Sequence, residues 1–409
     1  MTHDRRTTRR DFVIEGSAGI AGVAVMSACP GARRPRESEA RLGRSVVRTL
    51  GRTGLDLPVV SMGSSYGIGL VEEALDEGIR YIHTSSSYQE KQHEIMLGEI
   101  FRKRPRSSFA VGTSPDLPYS YRRFRDRSAD LGIEVDPDLI GRSLEGSLRR
   151  LRVDFVDIYY LCSVGAPEVG FEPYLEAFSR LKKEGKARAI GIATHENEPD
   201  VIRAAVGSGV WDVVLTAYNF RQTHREAVRA AIREAAEAGL GVIAMKTQAG
   251  VYRDRSRTGL INQTAALKWV LQDENVHTTI PAFSNFDELR EDMSVMEDLE
   301  FTPAEARDLE EVERSVHAGL FCQQCGHCLP QCANKVDIPT LMRAHMYAAG
   351  HAQPGKAVST LRGISAGEIR CVECRRCTVQ CALGLEIQPQ AAAMRQLLEG
   401  STFTIAPSS

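Results

Sequence analysis

Between residues 46 and 299, short apolar runs alternate with stretches whose apolar residues recur at helical spacing. Val59-Val60-Ser61-Met62 precedes a helical stretch at 71–78, and Tyr81-Ile82-His83 precedes one at 94–101. Phe109-Ala110-Val111 is followed, after a long loop, by 139–151. The run 155–161 leads to 174–184, and the run 189–193 to 200–208. Val213-Val214-Leu215 leads to 225–238, the run 242–245 to 263–272, and Thr278-Thr279-Ile280 to 287–298. Strands that are apolar throughout are buried on both faces, as in a parallel sheet covered by helices. The run starting at Val59 and the seven after it, closing at Thr278, predict an α/β fold, a (β/α)8 TIM barrel, once one weak unit is discounted. Residues 46–57, centred on Gly51-Arg52-Thr53-Gly54, predict a hairpin that plugs the lower end of that barrel.

Beyond the barrel, residues 302–318 predict a linking helix, capped by Thr302 and Pro303 with Glu305 at the third helical position. Two cysteine runs follow. Cys322, Cys325, Cys328 and Cys332 form C-x2-C-x2-C-x3-C, and Cys371, Cys374, Cys377 and Cys381 repeat it, each 49 residues after its counterpart. This spacing resembles that of bacterial two-cluster ferredoxins, although Ala333 and Ala382 stand where that pattern has Pro. The resemblance implies two [4Fe-4S] clusters in a small α-helical ferredoxin-like domain at 321–399. In that pattern the fourth cysteine crosses over, giving Cys322, Cys325, Cys328 and Cys381 to one cluster and Cys371, Cys374, Cys377 and Cys332 to the other. Two all-cysteine zinc sites or a set of disulfides are the other readings of the same spacing. Between the runs, 340–349 and 358–361 predict helix. His317, His327, His345 and His351 are potential metal ligands, but the cysteines already complete two sites.

Hydrophobic content of 43% and charged content of 25% are ordinary for a globular chain, and 409 residues leave room for a large and a small domain. A net charge of −2 gives no global reason to expect nucleic acid as partner. The start of the chain changes the picture. Thr8-Arg9-Arg10-Asp11-Phe12-Val13 resembles a twin-arginine export motif, and a short Gly/Ala-rich apolar run follows at 16–28. A protein that carries a cytoplasmically assembled cluster must cross a membrane already folded, which this route permits. Residues 1–29 therefore predict a leader and a periplasmic or exported protein. Met26-Ser27-Ala28-Cys29 resembles a lipoprotein box, so a lipid anchor at Cys29 is the membrane-tethered alternative. Residues 30–45 and 400–409 predict a linker and a tail.

Within the barrel region (46–300), four segments occur in an order that resembles the aldo-keto reductase family. They are Arg48-Thr49-Leu50-Gly51-Arg52-Thr53-Gly54, Ser143-Leu144-Glu145-Gly146-Ser147-Leu148, Val156-Asp157-Ile158-Tyr159-Tyr160-Leu161 and Gly185-Lys186-Ala187-Arg188-Ala189-Ile190-Gly191. Together with the cysteine repeat, the chain resembles the iron–sulfur branch of that family in an exported form. The resemblance implies four polar residues at the barrel's C-terminal mouth: Asp, Tyr, Lys and His. There the Tyr protonates a carbonyl as hydride arrives, with its pKa lowered by the Lys. In this chain Tyr88 is kept, while His83, Ser114 and Cys162 stand at the Asp, Lys and His positions. At the positions implied for nicotinamide, Ala193-Thr194 replace Ser-Asn, Leu215 replaces Gln, and Met245, followed by Lys246, replaces the stacking Tyr. The nucleotide end is closer to the family pattern. Ile280-Pro281-Ala282-Phe283-Ser284-Asn285 leads into a helix near Phe286, so Ser284, Asn285 and Arg290 are the candidate NADP(H) contacts.

Two accounts of the mouth follow. In one, His83, Tyr88, Cys162 and Lys246 form a new polar site, with His83 as the acid–base group because an imidazole titrates near neutrality. The protein is then an oxidoreductase acting on a small-molecule substrate or with a redox partner protein. In the other, the barrel is silent and the protein is an electron carrier or accessory subunit. Nicotinamide passes electron pairs and clusters pass single electrons, yet no flavin motif is evident to couple them. The stretch 114–138 carries Arg122, Arg123, Arg125 and Arg127 among aromatic residues and predicts a lid or a docking patch on the active face. Residues 248–262 predict a second covering loop.

Overall fold

The computed structural model describes residues 45–65, 67–115, 117, 137–162, 165–195, 197–248, 262–314, 322, 327–350, 354–361, 364–381 and 384–400. The leader with Cys29, the linker, the arginine-rich stretch 118–136, most of the covering loop 248–262, His317, Cys325 and His351 lie outside the described residues.

An antiparallel hairpin, β1 (Val47–Thr49) and β2 (Asp56–Pro58), precedes the barrel. Seven parallel strands then lie side by side in chain order: β3 (Tyr81–His83), β4 (Ala110–Thr113), β5 (Val156–Cys162), β6 (Ala187–Thr194), β7 (Val213–Ala217), β8 (Gly241–Met245) and β9 (Thr278–Thr279). The segment around Val60 is the remaining stave. Parallel bridges from Val60 to Thr279 and from Met62 to Ile82 join the two edges and close the barrel. No weak unit needs discounting, because all eight apolar runs serve as staves and only the hairpin lies outside.

The outer helices follow from apolar spacing. Helix Arg225–Glu237 buries Val228, Ala231, Ile232 and Ala235, which lie on one stripe facing the sheet. Inside the barrel, Leu50 and Leu57 of the hairpin pack beneath Tyr81, Ile158, Tyr160, Val213 and Ile243, so the hairpin plugs the lower end. The Tyr81 and Tyr160 hydroxyls are 2.8 Å apart and fill the centre. Glycine makes room for them, since a Cβ on Gly112 would lie 2.2 Å from the Tyr81 Oη.

Helix Pro303–Arg314 has the expected reciprocal cap. The Glu305 N–H donates to Thr302 Oγ1 at 3.2 Å, and the Thr302 N–H donates to Glu305 Oε2 at 2.8 Å. The cysteine-bearing segment has its own apolar core, including Ile338, Leu341, Met342, Leu361, Cys371, Ile387 and Met394. Helix Ile338–His345 runs directly into a π-helical turn, Met346–Gly350, and helices Pro354–Thr360 and Ile387–Leu398 pack around it. Among the described residues, no helix is long and apolar enough to cross a membrane.

Candidate active site

Parallel barrels gather functional side chains at the C-terminal ends of their strands. Here that rim encloses a cavity of about 910 Å³. His83 ends β3, Ser114 follows β4, Cys162 ends β5, His195 follows β6 and Lys246 follows β8, and all five line the cavity. Tyr88 lines it from the turn after β3. The four candidate catalytic residues are therefore brought together.

The ceiling of the cavity comes from the cysteine-bearing segment. Arg343, Met346, Tyr347, Lys356 and Ser359 line it from above. Lys246 Nζ donates to Tyr347 Oη at 2.9 Å across 101 residues of sequence. Lys246 holds a left-handed backbone, with φ at +58°, a conformation that costs a side-chain-bearing residue about 1–3 kcal/mol and persists only where its surroundings enforce it. Lys356 Nζ lies 4.4 Å from the Tyr347 ring centroid and 5.9 Å from that of Tyr88. It also donates to Ser64 Oγ at 3.4 Å, and Ser359 Oγ donates to the Ser87 carbonyl at 3.2 Å. Below that last contact, Gln89, Glu90 and Lys91 all have positive φ, an uncommon run without glycine.

These contacts set the electrostatics. Burial opposes charge on Tyr347 and would push its phenol up. Lys246 and Lys356, helped by the hydrogen bond from Lys246 and the field of Arg343, override it and bring the phenol down from 10.0 to about 7. Burial acts unopposed on His83, which with the field of His93 brings its imidazole down to about 3. His83 is therefore neutral at physiological pH. This corrects the expectation of an imidazole titrating near neutrality, which held only for a solvated ring. His195 is pushed well below its ordinary value by burial first, then by Lys246 and Arg343. The Nδ1 atoms of His83 and His195 are buried without a hydrogen-bond partner among the described residues.

A second set of residues holds the wall in place. His93 Nδ1 accepts from Thr84 Oγ1 at 2.7 Å, and its Nε2–H donates to the Ser65 carbonyl at 2.9 Å. Glu94, fully buried beside it on helix Gln92–Phe101, accepts from Thr113 Oγ1 and from Arg150 Nε, each at 2.7 Å. Sequence reading missed His195, Arg343, Tyr347, Lys356 and this Glu94 cluster. His195 had a usable signal, because it lies two residues past the end of the predicted stave 189–193 and one past the end of β6.

At the nucleotide end, the helix Phe286–Ser294 begins as expected, with Asn285 as its cap. Asn285 Oδ1 accepts the Glu288 N–H at 2.9 Å, and the Ser284 N–H donates to Glu288 Oε2 at 2.8 Å. Arg290 reaches Asp287 at 3.2 Å. Of the three candidate contacts only Ser284 lines the cavity, and its N–H already carries a carboxylate.

The cysteine runs pack against each other through their equivalent glutamines. The Gln380 N–H donates to Gln331 Oε1 at 2.8 Å, and Gln331 Nε2 donates to the Gln380 carbonyl at 3.3 Å. Burial and then the neighbouring thiols of Cys332, Cys377 and Cys374 push the Cys371 thiol up to about 11. Asn334 Nδ2 donates to Cys374 Sγ at 3.2 Å. Among the described residues no three His, Cys, Asp or Glu side chains are grouped to hold a single metal ion. A cluster places less stringent demands on closeness, since each thiolate binds a different iron.

Fold and rim together define a (β/α)8 barrel with a cavity at its C-terminal mouth. The chain belongs to the aldo/keto reductase family, whose model matches residues 60–264. It is 29% identical over 187 residues to the NADH-specific methylglyoxal reductase of Escherichia coli (strain K12), covering 42% of this chain and 56% of that protein. It is 30% identical over 162 residues to the L-galactose dehydrogenase of Arabidopsis thaliana, covering 36% and 47%. The chain spans about half the length of these curated relatives. Its fold is similar to that of aldo-keto reductase AKR11C1 from Bacillus halodurans in the holo form, at 22% identity and a TM-score of 0.54 over 66% of this chain and 96% of that one.

Proposed function

We propose that this chain is an exported oxidoreductase of the aldo/keto reductase family that acts on a small molecule held at the barrel mouth, beneath a segment carrying two [4Fe-4S] clusters. The observation that carries this reading is the Lys246–Tyr347 hydrogen bond, which makes barrel and cysteine-bearing segment two walls of one chamber. A phenol hydrogen-bonded to an ammonium, inside a cavity and down at about 7, is suited to give or take a proton near neutral pH. Tyr347 takes that role here. His83 and His195 orient a substrate oxygen as neutral hydrogen-bonding groups, and Tyr88 and Cys162 shape the floor. Most of the family's acid–base set is replaced in this reading: among its four positions only Tyr88 is retained.

The donor set supports the clusters. The thiols that act on Cys371 are those of Cys332, Cys377 and Cys374, and in the two-cluster ferredoxin pattern these four form the crossed-over set, leaving Cys322, Cys325, Cys328 and Cys381 for the second cluster. Four crowded thiolates repel one another, and a cationic iron cluster relieves that repulsion. When bound, such clusters supply electrons singly. The Glu288 carboxylate at the nucleotide end favours a variant of this reading in which electrons reach the mouth from the clusters without NADP(H).

Anaerobically purified full-length protein is expected to contain iron and sulfide, with cubane signals in EPR, and Cys332→Ser is expected to lose about half of that iron. Zinc in place of iron, or no metal at all, would remove the redox reading. Bleaching of the cluster absorbance by added NADPH would assign the nucleotide as donor. Export by the twin-arginine route, with or without a lipid on Cys29, has its own check: Arg9→Lys with Arg10→Lys should keep the protein in the cytoplasm, and unchanged export would refute that leader.

A further inference from the structure

The geometry points to a binding site for a small organic anion, of carboxylate or phosphate class, on the ceiling side of the mouth, with Lys246, Lys356 and Arg343 as its cationic contacts. This rests on the mouth being the reaction site and adds the charge of what enters it.

Three cations from three separate elements converge on one cavity: Lys246 beyond β8, Arg343 on helix Ile338–His345 and Lys356 on helix Pro354–Thr360. Among the described residues neither lysine has an ion-pair partner, and Glu90, on the exposed turn at the rim, is the one described carboxylate in the lining. Positive charge gathered in a low-dielectric concavity concentrates anions there. The wall opposite offers the buried, unpartnered Nδ1 atoms of His83 and His195. Both rings are neutral, so they serve an oxygen of the ligand as hydrogen-bonding groups and add no charge. A ligand with an anionic end for the lysines and a carbonyl or hydroxyl oxygen for the histidines satisfies both walls. The nucleotide end of the barrel offers no such welcome, because Glu288 already occupies the N–H of Ser284.

The same cations hold Tyr347, so anion and phenolate compete for them. The charged groups facing that phenol are Lys246, Lys356 and Arg343, and Glu90, His83, His195, Cys162 and Tyr88 share the cavity. Anion binding should therefore take up a proton and weaken as the pH rises through about 7.

The test is calorimetric titration of the full-length, cluster-loaded protein, anaerobically and at low ionic strength, with malonate, inorganic phosphate, neutral malonamide and NADPH. Malonate or phosphate should bind and malonamide should not. Lys246→Met and Lys356→Met should each weaken binding at least about tenfold, while Lys356→Arg retains it, which separates loss of charge from loss of fold. Equal binding of malonate and malonamide, or indifference to both methionine substitutions, would overturn the site. So would NADPH binding with that same lysine dependence while malonate and phosphate fail to bind. Heat of binding does not depend on turnover. An intact, lysine-dependent anion site in a protein whose turnover ignores Tyr347 would refute the catalytic reading alone.

Discussion

Tyr347→Phe is expected to lower turnover by about 10²–10⁴-fold, the range typical of a lost general acid–base group. The ring and its packing remain, and only the hydroxyl facing Lys246 is removed. The pH profile supplies the sharper readout. Proton delivery needs the phenol, so the reductive rate should fall as the pH rises through about 7. Proton abstraction needs the phenolate, so the oxidative rate should rise through the same value. Both limbs should vanish in Tyr347→Phe, and Lys246→Met should move them to higher pH. If the limbs persist in the phenylalanine variant, the ionisation belongs to another group. Stability carries a matching signature. The folded-state phenol ionises below its unfolded value of 10.0, so its contribution is complete above about 10 and is lost as the pH falls through about 7. Wild-type protein should gain stability relative to Tyr347→Phe between those limits, measured by denaturant titration.

Arg150→Ala is expected to destabilise the fold by about 3–5 kcal/mol, because it leaves a buried carboxylate without its cationic partner. Glu94 is fully buried and touches Arg150 Nε and Nη2, each at 2.7 Å. After the substitution only the hydroxyl of Thr113, also at 2.7 Å, remains among its described contacts. Adding Glu94→Gln should recover part of the loss, because the orphaned charge is then absent. Equal stability of the single and double variants would mean that the pair is not the source of the effect. Thr113 ends β4 directly before Ser114, so the same substitution should also loosen that side of the mouth.

Much of the barrel was legible because each stave is buried on both faces and reads as an uninterrupted apolar run. The hairpin was legible from Gly51 and Gly54, which adopt left-handed conformations at its turn. The mouth was only half legible. His83, Cys162 and Lys246 could be placed because each ends or follows a stave, and the register of a parallel barrel brings such ends together. Their electrostatics were not legible. Burial decides that His83 is neutral, and burial is a property of the folded chain, where the rings of Tyr88 and Tyr160 stand against it. Tyr347 and Lys356 sit between cysteine runs with no local pattern that aims them at a cavity. Their role arises from a long-range contact, which periodicity does not encode. At the other end of the barrel, the helix start at Phe286 was read correctly, but the Glu288 carboxylate turning back onto the Ser284 N–H is a side-chain choice invisible in the pattern.

The ceiling over the mouth makes this a protein that cannot be divided for convenience. Trimming away the cysteine repeat would leave a barrel that still closes on itself. It would also carry off the phenol and two of the cations from the chamber. Any disturbance of the cysteine-bearing segment would be expected to reach the chamber by the same route, through the fit of a ceiling and without touching any residue of the floor.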